Sequence, residues 1–172
     1  MTAACAGAFA AADEWFAAGR TLFDLEPAAT TGLDELVRRL LFHNLQVWHY
    51  EDHGRTDEDA LILIGWRGAM RHNKHRNESI NAIDALFLAN HAPTAPLHSE
   101  SLGALLDRIT ILDLKRRNFR LRDTATADAV RQQRDELVDY AADLADRLAS
   151  GRVRVQKVPR LKLYLPVAPV GG

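Results

Sequence analysis

Three polar runs hold the residues with chemical potential: His49-Tyr50-Glu51-Asp52-His53 beside Trp48, Asn73-Lys74-His75-Arg76-Asn77-Glu78, and Asp107-Arg108. His49 and His53 stand four residues apart, and His49 and Asp52 three apart, so on a helix each pair projects from one face. An imidazole near its ordinary pKa moves protons at neutral pH and a flanking carboxylate fixes its tautomer, which makes His49 and Asp52 a candidate acid/base pair. The same spacing permits metal chelation, and His75 with Glu78 repeats the combination on another segment. A divalent cation would draw its ligands from His49, Asp52, His75 and Glu78, but no metal is favoured. The order is the reverse of the Glu-x-x-His of carboxylate-bridged metal bundles, and Tyr50 interrupts the zinc-protease pattern. The plainer reading places His53 at a helix C-terminus, where a cation is favoured, and pairs Glu51 with Arg55 or leaves it in water.

Asn73 and Asn77 continue a stripe that runs from Trp66 and Met70 to Ile80, which predicts that both amides point inward. Arg76 sits beside that stripe, with Asp52 and Asp107 as the available carboxylates. Asp107 shares a face with Ala104, Ile111 and Leu114, and Arg108 shares one with Leu105 and Leu112, so at least one of them approaches a core. Asn73, Arg76, Asn77, Asp107 and Arg108 are therefore a candidate binding set for a small anionic molecule, or else a buried network that fixes helix register. Lys115, Arg116 and Arg117 read as solvated or as complementing a helix end, with an anion-binding role as the alternative. Reaction classes that need a Gly-x-Ser-x-Gly elbow, a phosphate loop or a dinucleotide fingerprint find no match, and Cys5 has no base nearby.

The elements that must position these residues are helices. The first is predicted over about Ala8 to Phe23, with Phe9, Trp15, Phe16 and Leu22 packing and Pro27 ending the pattern. Thr31 and Gly32 open a second, in which Leu33, Leu36, Val37, Leu40, Leu41, Leu45 and Trp48 recur on one face until Gly54. Thr56 caps a third that reaches about Leu88, with Leu63, Trp66, Met70, Ile80, Ile83 and Phe87 on its expected buried side. After a loop with Pro93 and Pro96, Ser99 or Ser101 caps a fourth helix. A fifth starts near Thr126 and stops at Gly151. The alternation in Arg152-Val153-Arg154-Val155 and in Arg160 to Leu165 predicts an extended arm over 152–165, with Arg152, Arg154, Lys157, Arg160 and Lys162 on its wet side. The expectation is an all-α, single-domain bundle of about five helices spanning 1–172, with an extended C-terminal arm and with 1–7 and 166–172 flexible.

Composition narrows the partners. With 172 residues, 47% of them hydrophobic, the chain is long enough to bury a core without disulfides or a structural metal. Lys plus Arg total 22 against 23 Asp plus Glu, a net charge of -1 that gives no global attraction to nucleic acid or an anionic membrane. The one cysteine points to a reducing cytoplasm, and no stretch has the length or apolarity of a secretory leader or a membrane span.

Taken together, the motifs resemble a bacterial helical family, domain-of-unknown-function family 4254, from about Leu33 to Tyr164. Trp48, His49, Glu51, Asp52 and Arg55 match one motif of that family; Asn73, Arg76, Asn77, Glu78, Ile80 and Asp84 match a second. A third covers Ser101, Leu105, Asp107, Arg108, Ile111, Leu112, Leu114 and Lys115, and a closing one covers Lys162, Leu163 and Tyr164. The resemblance implies a mostly helical fold and a link to sugar, cell-envelope polysaccharide or specialised metabolism. His72 and His75 depart from the family pattern, which has residues more like Leu and Gln there, and this weakens a metal site built on His75.

Two functions stand against each other. In one, helices two to four enclose a small-molecule site in which His49 is the acid/base, Asp52 orients it, and Arg76 or Arg108 holds an anionic metabolite. In the other, the chain is a non-enzymatic helical module that binds a partner protein or another copy of itself, and the polar cluster is structural.

Overall fold

The computed structural model describes residues 32–88, 93–120 and 123–155. The helix expected over Ala8 to Phe23, the arm beyond Val155, and the segments 1–7 and 166–172 lie outside the described residues. Within them the chain runs α1 (Leu33–His53), α2 (Asp59–Ala85), β1 (Leu97–His98), α3 (Leu102–Arg120), α4 (Thr124–Ala149) and β2 (Arg154–Val155). The fold is all-α with one minor strand pair.

Helix α1 begins at Gly32, carries Asp34 and Glu35 in its first turn, where negative charge complements the helix dipole, and stops at Gly54. Its stripe of Leu36, Val37, Leu40 and Leu41 is buried as the spacing predicts. The third expected helix starts later than expected, at Asp59, because the Thr56 hydroxyl accepts only the Glu58 N–H and does not cap the helix. Ser101 starts α3 by accepting the Ala104 N–H at 3.2 Å, and Asp84 at the end of α2 holds the Gly103 N–H at 2.7 Å. In α4 the cap is Asp123, which accepts from the N–H groups of both Ala125 and Thr126; the Thr126 hydroxyl turns toward the same carboxylate.

The C-terminus of α4 closes on Gly151 at φ 69. Gly151 N–H donates to Leu148 O and Arg152 N–H to Arg147 O, the paired bonds of a glycine-terminated helix. This turn aims Val153 and Val155 into the core and leaves Arg152 in water, in line with the alternation of the sequence. β2 then pairs parallel with β1, Leu97 opposite Arg154 and His98 opposite Val155.

Helices α1 and α2 form one antiparallel hairpin, and α3 and α4 another. The core between them joins Leu36, Val37 and Leu40 of α1, Ile83 of α2, Leu102, Leu105, Leu106 and Ile109 of α3, and Ala141, Leu144 and Leu148 of α4. A smaller cluster of Leu41 and Leu114, flanked by Leu45 and Trp48, continues it.

The first half of α2 overturns an expectation. Leu63, Trp66 and Met70 are exposed, Trp66 at 61%, and the buried positions there are Gly65 and Gly68. The physical reason is the Tyr50 side chain and backbone of α1. A Cβ at residue 65 would stand 2.6 Å from Tyr50 O, and one at residue 68 would stand 2.2 Å from the Tyr50 ring. The hairpin closes by the absence of side chains, so the apolar stripe on the opposite side of α2 faces away from α1. Gly68→Ala is expected to lower stability by about 1–3 kcal/mol through overpacking, and Tyr50→Ala in the same chain to recover part of the loss. Equal chemical-denaturation midpoints for wild type and Gly68→Ala would refute the close approach.

Candidate functional site

The polar residues of three helices meet at Asp107. Asp107 is buried on α3, and its carboxylate receives Arg76 of α2 in a two-pronged bond, Nε to Oδ1 at 2.8 Å and Nη2 to Oδ2 at 2.6 Å. From α1, the buried Asn44 amide donates to Asp107 Oδ1 at 2.8 Å and to Thr110 Oγ1 at 2.7 Å. Thr110 in turn donates to the Asp107 carbonyl at 2.8 Å. Planar guanidinium on planar carboxylate is the strong form of ion pairing. The Asp107 bonds raise the Arg76 proton affinity above its ordinary value, against the opposing effect of burial. Asn44 and Thr110 were not among the residues singled out from the sequence. Asn44 had a signal, since it interrupts the apolar face of Leu40, Leu41 and Leu45; Thr110, a β-branched residue in a helix of Leu and Ile, had little.

Asn73 and Asn77 do not point inward as expected. Both are exposed: Asn73 Oδ1 accepts from Arg76 Nη1 at 3.0 Å, and Asn77 Nδ2 donates back to the Asn73 carbonyl at 2.8 Å. They follow the Trp66 and Met70 side of α2, which is the outer side. Arg108 also lies outside the cluster, exposed and paired with Glu100. Of Asp107 and Arg108, Asp107 is the one that enters the core.

The acid/base pair has a different arrangement from the one its spacing suggested. His49 Nε2 lies 3.1 Å from His53 Nε2, and Asp52 pairs with Arg55 at 3.5 Å on an exposed surface. Asp52 therefore orients Arg55, and its contact is not with His49. His75 Nδ1 meets Glu78 Oε2 at 2.9 Å, within one helix and exposed, and this contact holds the Glu78 carboxyl below its ordinary range. Among the described residues no group of three or more His, Cys, Asp or Glu side chains is arranged to hold a metal ion.

Two clusters escaped the sequence reading. At the α1–α2 seam, His43 Nδ1 lies 3.2 Å from His72 Nδ1, the His43 ring stacks on His75, and the His72 ring stacks on Tyr50. Burial first, then the neighbouring His72, His75 and Arg39, push the His43 pKa down to about 4. The His72 pKa is lowered too, by burial foremost and then by His75 and Arg71. At the other cluster Asp113, fully buried, accepts Arg117 Nε at 2.7 Å and Arg116 Nη2 at 3.1 Å, with Arg134 Nε of α4 at 3.2 Å. Arg116 and Arg117 are thus inward partners of a core carboxylate and not a solvated helix end. The i,i+3 and i,i+4 spacing from Asp113 was the available signal. An open groove on the outer side of α4, between Asp128, Arg131, Asp135 and Asp139, touches neither cluster.

A family model matches residues 34–157, which takes in all four helices but for the first residue of α1, and both strands. The chain belongs to the family described as protein of unknown function, DUF4254. Comparison with curated proteins and with solved structures gives no match. The DUF4254 match covers every residue of the Asn44, Arg76, Asp107 and Thr110 network, and the Asp113 cluster with it.

Removing Arg76 leaves Asp107 charged among buried groups. Arg76→Met is therefore expected to cost about 3 kcal/mol, the low end for a broken buried pair because the Arg76 side chain keeps 26% of its surface in water. Arg76→Met with Asp107→Leu should recover most of that cost. Thermal melts in which the single variant matches wild type would remove the network's structural role.

The His43 shift has a pH consequence. Its folded pKa lies below the unfolded value of 6.5, so the unfolded chain takes up the proton first. Stability is full above pH 6.5 and falls as pH drops from 6.5 toward about 4, by about 2 kcal/mol after allowance for solvent screening. His43→Phe should flatten urea-unfolding stability across that window. An unchanged slope in the variant would assign the effect elsewhere.

Proposed function

We propose that this chain is a non-enzymatic helical interaction module, in which the polar cluster locks three helices in register and α2 offers the contact surface. The observation that carries this reading is the closure of the cluster on itself. Asp107 spends both oxygens on Arg76 and Asn44, while Arg108 meets Glu100, Asp52 meets Arg55 and His49 meets His53. A binding site built to receive an anion would instead keep cationic donors aimed at open space. The exposed stripe of Leu63, Trp66 and Met70 supports the same reading, since large apolar side chains grouped on a surface mark contact sites.

One observation favours a second reading, a site for a small anionic metabolite of sugar, cell-envelope or specialised metabolism. His43, His72 and His75 bring three imidazoles together at one seam, and burial lowers the proton affinity of His43 and His72, which favours the neutral rings whose free nitrogen accepts a hydrogen bond. The single cysteine supports a cytoplasmic location for either reading, and the motif resemblance supports a bacterial source.

A thermal-shift screen against nucleotide sugars, phosphorylated metabolites and amino acids separates the two. The module reading expects no melting shift at millimolar ligand. A ligand bound at 100 times its dissociation constant would add about 2.7 kcal/mol, so a rise of several degrees that disappears in Arg76→Met or His43→Phe would overturn the module in favour of the metabolite site.

A further inference from the structure

Two pairs of imidazole nitrogens stand at almost the same separation and are built differently. An N–H aimed straight at the lone pair of another ring keeps the two ring centres about 5.4 Å apart at such a distance, since each nitrogen stands about 1.15 Å from the centre of its own ring. His43 and His72 fit that description: their Nδ1 atoms are 3.2 Å apart and their ring centres 5.4 Å. His49 and His53 do not. Their Nε2 atoms are 3.1 Å apart, yet the ring centres are 4.5 Å apart and the ring planes stand at 83°. At least one of these two nitrogens therefore points to the side of the other and not along the line between them.

The same distances suit two ligands of one ion. An imidazole nitrogen lies about 2.1 Å from a bound transition metal, so two nitrogens 3.1 Å apart subtend about 95° at the ion, an ordinary angle between neighbouring ligands. Two rings held in that way have their centres about 4.8 Å apart, nearer to the observed 4.5 Å than an in-line hydrogen bond allows. The local structure supplies both the pair and the charge. A spacing of four brings His49 and His53 to one face of α1, and His53 closes its last turn, where the carbonyl ends of the helix favour a cation. Glu51 stands exposed in the same turn. Two protons cannot fill this role, since two imidazolium rings with nitrogens 3.1 Å apart repel, whereas one divalent ion takes a lone pair from each.

We propose that His49 and His53 form an open, two-nitrogen site for a late first-row divalent cation, Cu(II) most tightly, with water in its other positions. Imidazole suits Cu, Ni and Zn, and affinity for nitrogen ligands peaks at Cu(II), whereas Mg(II) and Ca(II) take oxygen ligands. The site is open because among the described residues no group of three or more His, Cys, Asp or Glu side chains is arranged around one ion. Asp52, which its spacing from His49 offers as a third ligand, is paired with Arg55. The inference goes beyond the module reading and uses neither the outer face of α2 nor the Asp107 network.

Titration calorimetry of the full chain with CuCl2, NiCl2 and MgCl2 at neutral pH should show Cu(II) bound more tightly than Ni(II), and no binding of Mg(II). Electron spin-echo envelope modulation of the Cu(II) complex should carry the signature of two coordinated imidazoles. His49→Gln and His53→Gln should each weaken Cu(II) by about 100-fold, because the second ligand binds intramolecularly, and should reduce the signature to one imidazole while the far-ultraviolet circular dichroism stays that of wild type. His75→Gln, at the exposed pair with Glu78, should change neither affinity nor signature. A loss of Cu(II) in His75→Gln moves the site to the His43 seam and overturns the proposal. Cu(II) that keeps its affinity in His49→Gln with His53→Gln sits on other donors and overturns it as well. So does a wild-type complex with fewer than two imidazoles, a result that needs no variant.

Discussion

Everything in the bundle's centre is tied to one contact, the two-pronged pairing of Arg76 with Asp107. It joins α2 to α3, and through Asn44 it draws in α1, so the relative rotation of three helices is fixed by groups that have only one satisfactory geometry. Apolar packing alone would tolerate small slides of Leu36, Val37, Leu105 and Ile109 past one another. A planar fork on a carboxylate does not, because a slide of one helix on the other carries both bonds off their aligned geometry together and strands a charge. The pair need not add net stability over a well-packed hydrophobic substitute to have this effect, since it acts by penalising the alternatives.

The second buried carboxylate works differently. Asp113 has no solvent contact and draws three guanidinium groups toward it, two from its own helix and one from α4. Where Arg76 and Asp107 set the position of one hairpin on the other, Asp113 and Arg134 set α4 on α3 within a hairpin. The histidine seam of His43, His72 and His75 completes the series between α1 and α2 with stacked rings, and burial there holds His43 and His72 below the ordinary imidazole pKa.

The helices were legible because caps and apolar period are local properties of the chain. Gly54, Ser101 and Gly151 stop or start their helices where the sequence placed them, and the Asp123 cap shifts a boundary by two residues for a reason visible in the chain, an Asp preceding Thr124. The inner face of α2 was not legible. Its periodicity finds a stripe but does not say which way the stripe faces, and the real contact at Gly65 and Gly68 carries no apolar signal because it consists of missing side chains. Asn73 and Asn77 went astray with that stripe. Arg76 and Asp107 were legible as a pair needing partners; their partner Asn44 and the Asp113 cluster were not, because a buried polar residue looks like any other polar residue until its neighbours from another helix are known.

The strand pair carries a consequence for direction. Because β2 runs parallel to β1, the chain passing Val155 heads the same way as the chain passing His98, at the end of the bundle where α3 begins beside Ile80 and Asp84. The Trp66 face lies toward the other end of α2, about 25 Å away along a helix that rises about 1.5 Å per residue. The two ends of α2 are therefore unlike: one is anchored to the start of α3 through Asp84, while the other presents Leu63, Trp66 and Met70 to water.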